Sequence, residues 1–195
     1  MNETILRQAR ANGGVVTSSW GRKKGIPSVY MSRLVASGQL YRAARGIYVI
    51  DPNTLLDPWY VLQRHNPTCV FSFSSALYLL GETDRIPSLP EFTVYSGYNA
   101  KHLIKKAAIH YVRREIHRLG VIETETSLGF PVHCYDFERT VCDLIVNQNK
   151  VDAEMFTSTM QRYAKHPLRD IRKLMHYAGK MGIKERTRFI MELLQ

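Results

Sequence analysis

The chain has few cysteines, fewer acidic than basic residues, and no long apolar run. Its three cysteines, Cys69, Cys134 and Cys142, form no C-x-x-C pair, which argues against a disulfide framework and against a zinc ribbon. No apolar run approaches the roughly 18 residues that a membrane helix needs, and the N-terminus lacks the apolar core of a signal peptide. These absences predict a cytoplasmic protein that makes no contact with a membrane.

The residue patterns of common catalytic and metal sites are also lacking. The seven histidines show no H-x-x-x-H or Cys-His ligand spacing. There is no Gly-rich phosphate loop, no nucleophile elbow and no Ser-His-Asp order. Asp136 and Glu138 suggest a nuclease carboxylate pair, but no Glu-x-Lys follows on a strand. We therefore predict that the protein is not an enzyme and binds no cofactor and no metal.

What the sequence does have is positive charge, concentrated in its first quarter. The 195 residues include 27 Lys and Arg against 17 Asp and Glu, a formal net charge of +10. Residues 1–50 contain eight of these bases and one acid, a net charge of +7, and the rest of the chain contributes +3. A basic segment of this kind favours a polyanionic partner such as a nucleic acid.

Residues 17–50 have the pattern of a winged helix-turn-helix. Thr17 and Ser18 are expected to cap a short helix, and Gly25 to form the tight turn that ends it. Pro27 is expected to be the first residue of the next helix, because its ring fixes φ and its missing N–H is not needed there.

This second helix is predicted to carry apolar and polar side chains on different faces. Met31, Leu34 and Val35 form the apolar stripe that is expected to face the core. The other face presents groups that donate hydrogen bonds to phosphates and base edges in a major groove, namely those of Ser28, Tyr30, Ser32 and Arg33. Arg33 is the candidate for a base contact, because a guanidinium pairs bidentately with guanine. For Tyr30, a position in the core is an equal alternative.

Two β-prone runs around Arg45-Gly46 predict the two strands of the wing. The DNA-contacting residues expected outside the second helix are Thr17, Ser18, Arg22, Lys23, Lys24, Arg42 and Arg45. The basic side chains among them would contact phosphates, which positions the domain on the DNA without recognising its sequence. The alternative is a winged helix that is used only for contact with another protein.

The remainder of the chain predicts a mixed sheet followed by helices, so the fold class is α+β with domains at residues 1–50 and 51–195. An amphipathic helix over residues 2–11 is expected to pack behind the helix-turn-helix. The other predicted elements are helices at residues 59–64, from Ser74 or Ser75 to 80, and 138–146, strands at 92–95, 109–112, 120–126 and 130–135, and C-terminal helices over 152–194 broken at residues 166–167 and 179–182.

Further charged residues occur in the second domain. Arg139 and Asp143 are four residues apart on one helix and are expected to pair as an internal brace. Basic residues that could extend a DNA footprint, or bind another polyanion such as RNA, are Lys105, Arg113, Arg169, Arg172 and Lys173. The alternative for each of these is a solvated helix face.

Several short motifs along the chain resemble the AbiEi antitoxin family, which belongs to abortive-infection toxin-antitoxin systems of type IV. In the first domain these are Gly13-Gly14, Thr17-Ser18, Gly25-Ile26, Arg33-Leu34-Val35, Gly38-Gln39-Leu40 and Arg45-Gly46-Ile47-Tyr48. In the second domain, residues 81–87 leading into 92–95, and Gly129-Phe130-Pro131-Val132 leading into residues 137–145, are similar to the C-terminal antitoxin domain of the family.

The resemblance implies an antitoxin that binds inverted repeats in its own promoter and represses transcription, with two molecules pairing on the DNA. It also implies that the second domain counteracts a nucleotidyltransferase toxin without forming a stable complex with it. The alternative is a stand-alone winged-helix transcription regulator whose second domain senses a ligand or dimerises.

Overall fold

Helices and strands are mixed along the whole chain, as the changing periodicity of its apolar residues predicts. The computed structural model describes residues 1–194, which form two β-sheets and their surrounding helices. The predicted α+β class is thereby confirmed. These residues divide into two compact units, residues 1–61 and residue 62 onward. The domains at residues 1–50 and 51–195 stay a prediction, and Gln195 lies outside the described residues.

The first unit consists of short helices and a small antiparallel sheet. Its elements are α1 (Asn2–Ala11), β1 (Val15–Thr17), α2 (Ser18–Lys23), α3 (Val29–Ala36), β2 (Tyr41–Ala44) and β3 (Ile47–Val49). The strands lie in the order β1-β3-β2, so that Val49 pairs with Val15 on one side and with Tyr41 on the other. The core beneath them is formed by Ile5, Leu6, Ala9, Val16, Met31, Leu34 and Leu40.

Two features of the first unit differ from the predictions. β1 is not among the strands predicted from the sequence, but it pairs with β3 and completes the sheet. The expectation that Pro27 is the first residue of the second helix is wrong, because α3 begins at Val29. Pro27 lies just before the helix, in a turn where its carbonyl accepts a hydrogen bond from Tyr30 N at 3.2 Å.

The second unit contains a five-stranded mixed sheet and most of the helices. α4 (Pro58–His65) begins after the cap Asp57, and the boundary between the two units falls within it, after Val61. The elements that follow α4 are β4 (Val70–Phe71), α5 (Phe73–Leu79), β5 (Glu91–Tyr95), a 3-10 turn (Lys101–Leu103), β6 (Ala108–Val112), α6 (Arg114–His117), β7 (Val121–Glu125), β8 (Pro131–Tyr135), α7 (Phe137–Val146), α8 (Ala153–Lys165), α9 (Ile171–Met181) and α10 (Lys184–Leu193). The strand order is β6-β5-β4-β8-β7, with β6 parallel to β5 and β8 parallel to β4.

The core of this unit is built around α7, whose residues from Phe137 to Ile145 are all buried. α5, α8, α9 and α10 supply the apolar side chains that surround it. The predicted strands, α7 and the C-terminal helices, with a break at His166-Pro167, are confirmed. α9 continues to Met181, so the second break lies at Gly182.

The start of α5 also differs from the prediction. Its N-cap is Ser72, not Ser74 or Ser75, and Phe73 adopts a positive φ of 50°. The backbone N of Ser74 donates to Glu91 Oε1 at 3.3 Å, and the Ser74 hydroxyl donates to the same oxygen. The helix start is therefore capped by a carboxylate from β5, which local sequence patterns do not reveal.

Candidate nucleic-acid interface

α2 and α3 are joined by a turn that fixes their relative position. Thr17 Oγ1 accepts a hydrogen bond from Trp20 N at 3.2 Å and so caps α2. At the other end, Gly25 has a φ of +68°. Its N–H donates to Arg22 O at 3.1 Å, and Ile26 N donates to Gly21 O at 2.9 Å. This pair of bonds satisfies the last carbonyls of α2 and is the pattern of a Schellman motif.

α3 separates its side chains as the spacing predicts. Met31 and Leu34 are buried in the core of the first unit. Ser28, immediately before the helix, and Ser32 and Arg33 on it are exposed. Tyr30 is half-buried and packs against the core, while its ring lies 5.4 Å from the Arg33 guanidinium carbon. The outer face of α3 therefore presents two hydroxyls and a guanidinium that rests near an aromatic ring.

The hairpin of β2 and β3 lies close to the start of α2. Ser18 N donates to Gly46 O at 2.8 Å, so the Arg45-Gly46 turn is attached to the first residue of α2. Arg45 is exposed within this turn, and Arg42 is exposed on β2, where the register with β3 shifts. The turn that was predicted as the tip of the wing is thus held against the helix.

Most of the predicted DNA-contacting cations point into solvent. Arg22, Lys23 and Lys24 at the end of α2 are exposed, as are Arg33 and Arg42. Among the described residues, no carboxylate forms an ion pair with any of these five side chains. Their charge is therefore available to an external anion.

Thr17 and Ser18 are placed differently from these cations. Thr17 is only 8% exposed, and its hydroxyl is used to cap α2. Ser18 is half-buried beside Gly46. Thr17 therefore has a structural role, and it is not part of the exposed surface.

The five basic residues expected to extend the footprint do not form one group. Lys105 and Arg113 lie before and after β6, and both are exposed. Arg169 and Arg172 are exposed at the start of α9. Lys173 is engaged inside the unit, because its Nζ lies 2.6 Å from Glu138 Oε2 and 3.5 Å from Asp136 Oδ2.

The carboxylates of Asp136 and Glu138 are part of this internal network. Asp136 Oδ1 caps α7 by accepting from Arg139 N, and Tyr177 donates its hydroxyl to Asp136 Oδ2 at 3.0 Å. Burial raises the pKa of the Asp136 carboxyl. Burial lowers the pKa of Lys173, but the hydrogen bond to Glu138 and the charge of Asp136 outweigh this, so its pKa is raised. Local sequence patterns do not indicate the role of Lys173, since its partners lie more than 30 residues earlier in the chain.

Arg139 and Asp143 form the predicted brace. Arg139 is fully buried, and its Nε donates to Asp143 Oδ1 at 3.2 Å. Its Nη1 donates to the carbonyls of Ile116 and Leu119 at 2.5 and 2.7 Å. The guanidinium therefore connects α7 to the segment that leads into β7.

Within residues 1–194, no group of three or more His, Cys, Asp and Glu side chains is arranged to hold a metal ion. None of the helices in this part of the chain is both long and apolar enough to span a bilayer.

Residues 3–50 match a protein-family model described as "Transcriptional regulator, AbiEi antitoxin". The resemblance to AbiEi antitoxins is confirmed over these residues. The AbiEi-matched segment contains α1 from its second residue onward, α2, α3 and all three strands of the first sheet. It also contains the basic surface, by which we mean the exposed cations Arg22, Lys23, Lys24, Arg33 and Arg42.

Other comparisons add less than the AbiEi match. The search of curated proteins found no match. Among solved structures, the chain is similar to the crystal structure of RV2827C protein from Mycobacterium tuberculosis, with 13% identity and a TM-score of 0.42 over 97% of this chain and 79% of that one. A likeness at this level supports no conclusion about function.

Proposed function

We propose that this chain is the antitoxin of a type IV toxin-antitoxin system and represses its own promoter by binding inverted repeats. The exposed face of α3 is the observation that carries the proposal. Ser32 and Arg33 lie on a helix whose opposite face is buried, and Ser28 lies immediately before that helix, within a segment that matches the AbiEi regulators. These side chains are suited to hydrogen bonds with base edges and phosphates.

The first unit would act as a winged helix-turn-helix. The order of its elements supports this, since α2, a tight turn and α3 are followed by the hairpin of β2 and β3. α3 would enter the major groove, where Arg33 would pair with a guanine. Arg22, Lys23, Lys24, Arg42 and Arg45 would contact phosphates on either side and supply most of the affinity. Two molecules would bind the two halves of an inverted repeat.

A gel-shift titration on DNA from the chain's own upstream region tests this proposal. The matched variants are Arg33→Ala and Arg10→Ala, which remove the same charge, the latter from α1, where Arg10 pairs with Glu3 at 3.5 Å. We expect Arg33→Ala to weaken binding by about tenfold or more and Arg10→Ala to change it little. Equal binding of upstream and random DNA by the wild type would contradict operator recognition.

The second unit would counteract a nucleotidyltransferase toxin without a stable complex. The experiment expresses the Arg33→Ala variant together with such a toxin, whose gene lies beside that of the antitoxin. It separates repression of the promoter from protection against the toxin. We expect this variant to lose repression of a promoter reporter and still to protect cells from the toxin. Loss of both activities would contradict a division of labour between the two units.

A stand-alone transcription regulator is the second candidate, because the AbiEi match covers residues 3–50 and none of the second unit. In that case the second unit would sense a ligand or dimerise. The absence of a nucleotidyltransferase gene next to the gene for this chain would favour this candidate.

A further inference from the structure

The five-stranded sheet of the second unit ends in two edge strands, β6 and β7. Among the described residues, β5 is the single strand that pairs with β6. Ala108 N donates to Pro90 O at 2.9 Å, and Val112 O accepts from Ser96 N at 2.8 Å. Successive residues of a strand point their backbone groups to opposite sides. The N–H and C=O groups of Ile109 and Tyr111 therefore point away from β5, along the open edge of the sheet.

β6 lacks the features that usually protect an edge strand. Its sequence, Ala-Ile-His-Tyr-Val, contains no Lys, Asp, Glu or Pro, and Tyr111 is 54% exposed. β7 differs, because it exposes the carboxylates of Glu123 and Glu125. Exposed charges discourage an edge from pairing with another chain. β6 is therefore the edge that is open to a further strand.

Cations lie at both ends of this edge. Lys105 and Lys106 precede β6, and Arg113 and Arg114 follow it, all four exposed. The guanidinium carbon of Arg114 lies 4.2 Å from the centre of the Tyr95 ring. Arg113 Nη2 donates to the carbonyl of Lys180 at 3.3 Å. These contacts hold the two arginines in place beside the end of the strand.

We propose that the β6 edge binds an extended acidic segment of a partner protein, which adds a sixth strand to the sheet. The main chain of that segment would pair with the outward groups of Ile109 and Tyr111, as in other complexes that extend a sheet. Its carboxylates would meet Lys105 and Lys106 at one end and the arginines at the other. Alternate side chains of the segment would pack beside the exposed Tyr111 ring.

The same charges disfavour a second copy of this chain at the edge. An antiparallel pair of β6 strands centred on His110 would place Lys106 opposite Arg114 in both directions. Like charges directly opposite each other destabilise a sheet. A nucleic acid would satisfy the cations, but it would leave the outward backbone groups of β6 without strand partners.

Fluorescence anisotropy with the full-length protein and a short synthetic peptide of alternating Glu and Val tests the proposal. Two control probes are the same peptide with alternate backbone nitrogens methylated, and an oligothymidylate of equal charge. The protein variants are Tyr111→Pro, which removes one outward N–H, and Tyr111→Ala, which removes the ring but keeps that N–H. Circular dichroism checks that each variant is folded.

We expect the unmodified peptide to bind the wild type. The methylated peptide should bind the wild type about tenfold more weakly, and Tyr111→Pro should bind the unmodified peptide about tenfold more weakly. Tyr111→Ala should weaken binding less. If Tyr111→Pro does not fold, the comparison of the two peptides on the wild type still tests whether backbone hydrogen bonds carry the binding. Equal binding of the two peptides, tighter binding of the oligothymidylate, or no binding of the peptide would overturn the proposal. DNA recognition by α3 is measured separately, so its failure would leave this result unaffected.

Discussion

The exposed cations of α2 and α3 and the buried Arg139 of α7 are used in opposite ways. Arg22, Lys23 and Arg33 extend into solvent and form no ion pair with a described carboxylate. Arg139 is fully buried, and its charge is met by a carboxylate and two carbonyls. Burying a charge is costly unless it is paired and hydrogen-bonded. The environment, and not the residue type, thus separates a cation available for binding from one that serves folding.

Replacing Arg139 should have the largest effect on stability. Arg139→Met would leave Asp143 buried without its partner, and would remove the donor from the carbonyls of Ile116 and Leu119. We expect a loss of about 3–5 kcal/mol in the free energy of unfolding, measured with urea. The double variant Arg139→Met, Asp143→Leu should recover part of this loss, because it removes the unpaired charge. A loss under about 1 kcal/mol for the single variant would mean that the brace contributes little.

Replacing Gly120 should lower the stability nearly as much as replacing Arg139. It has a φ of +76°, and a Cβ built there would lie 2.6 Å from Arg139 Cβ. Gly120→Ala should therefore cost about 2–4 kcal/mol from backbone strain and overpacking together. Gly129→Ala is the matched control, since Gly129 has the same φ but nothing within 4 Å of the added atom. Equal shifts of Tm for the two variants would show that crowding against Arg139 is unimportant.

Lys173 and Arg172 are neighbours on α9 that should respond differently. Lys173→Met would deprive the buried Glu138 of its cation. We expect the free energy of unfolding, measured by thermal unfolding, to fall by about 1–2 kcal/mol. Arg172 is exposed, so the free energy of unfolding of Arg172→Met should lie within about 0.5 kcal/mol of the wild-type value. If Arg172 takes part in polyanion binding, its replacement should instead lower DNA affinity. Similar stability losses for both variants would contradict the internal role of Lys173.

Replacing Glu91 should have a small effect on stability that depends on pH. Burial raises the pKa of its carboxyl, but hydrogen bonds from His110 and Ser74 outweigh burial and hold the pKa below its usual value. A lowered pKa means that its contribution to stability is present above the unfolded value of about 4.3 and is lost as the pH falls through the folded value. Urea unfolding of Glu91→Gln should therefore show less stability at pH 7 and a weaker decline in acid. Parallel pH profiles for both proteins would rule this out.

Local patterns predicted the cap of α2, the turn after it and the faces of α3, but not β1 or the start of α3. The cap at Thr17, the turn at Gly25 and the faces of α3 depend on residues within a few positions of one another, so spacing alone identifies them. The surface positions of Ser28, Ser32 and Arg33 follow from the same spacing. Their contacts with DNA stay a prediction.

The parts that sequence did not predict depend on distant partners. β4 is only two residues long and exists because β5 and β8 flank it. The cap of α5 comes from Glu91 on β5, and Lys173 on α9 reaches Asp136 and Glu138 near the start of α7. Periodicity within a short window contains no information about such contacts.

The hydrogen bond between Ser18 N and Gly46 O has a consequence for the proposed DNA complex. It joins the hairpin to α2, so the two elements of the proposed contact surface are already connected in the free protein. Binding then requires little loss of conformational entropy, which otherwise reduces affinity. The rate of association should accordingly be governed by the attraction between the basic surface and the phosphates, and should fall as salt is added.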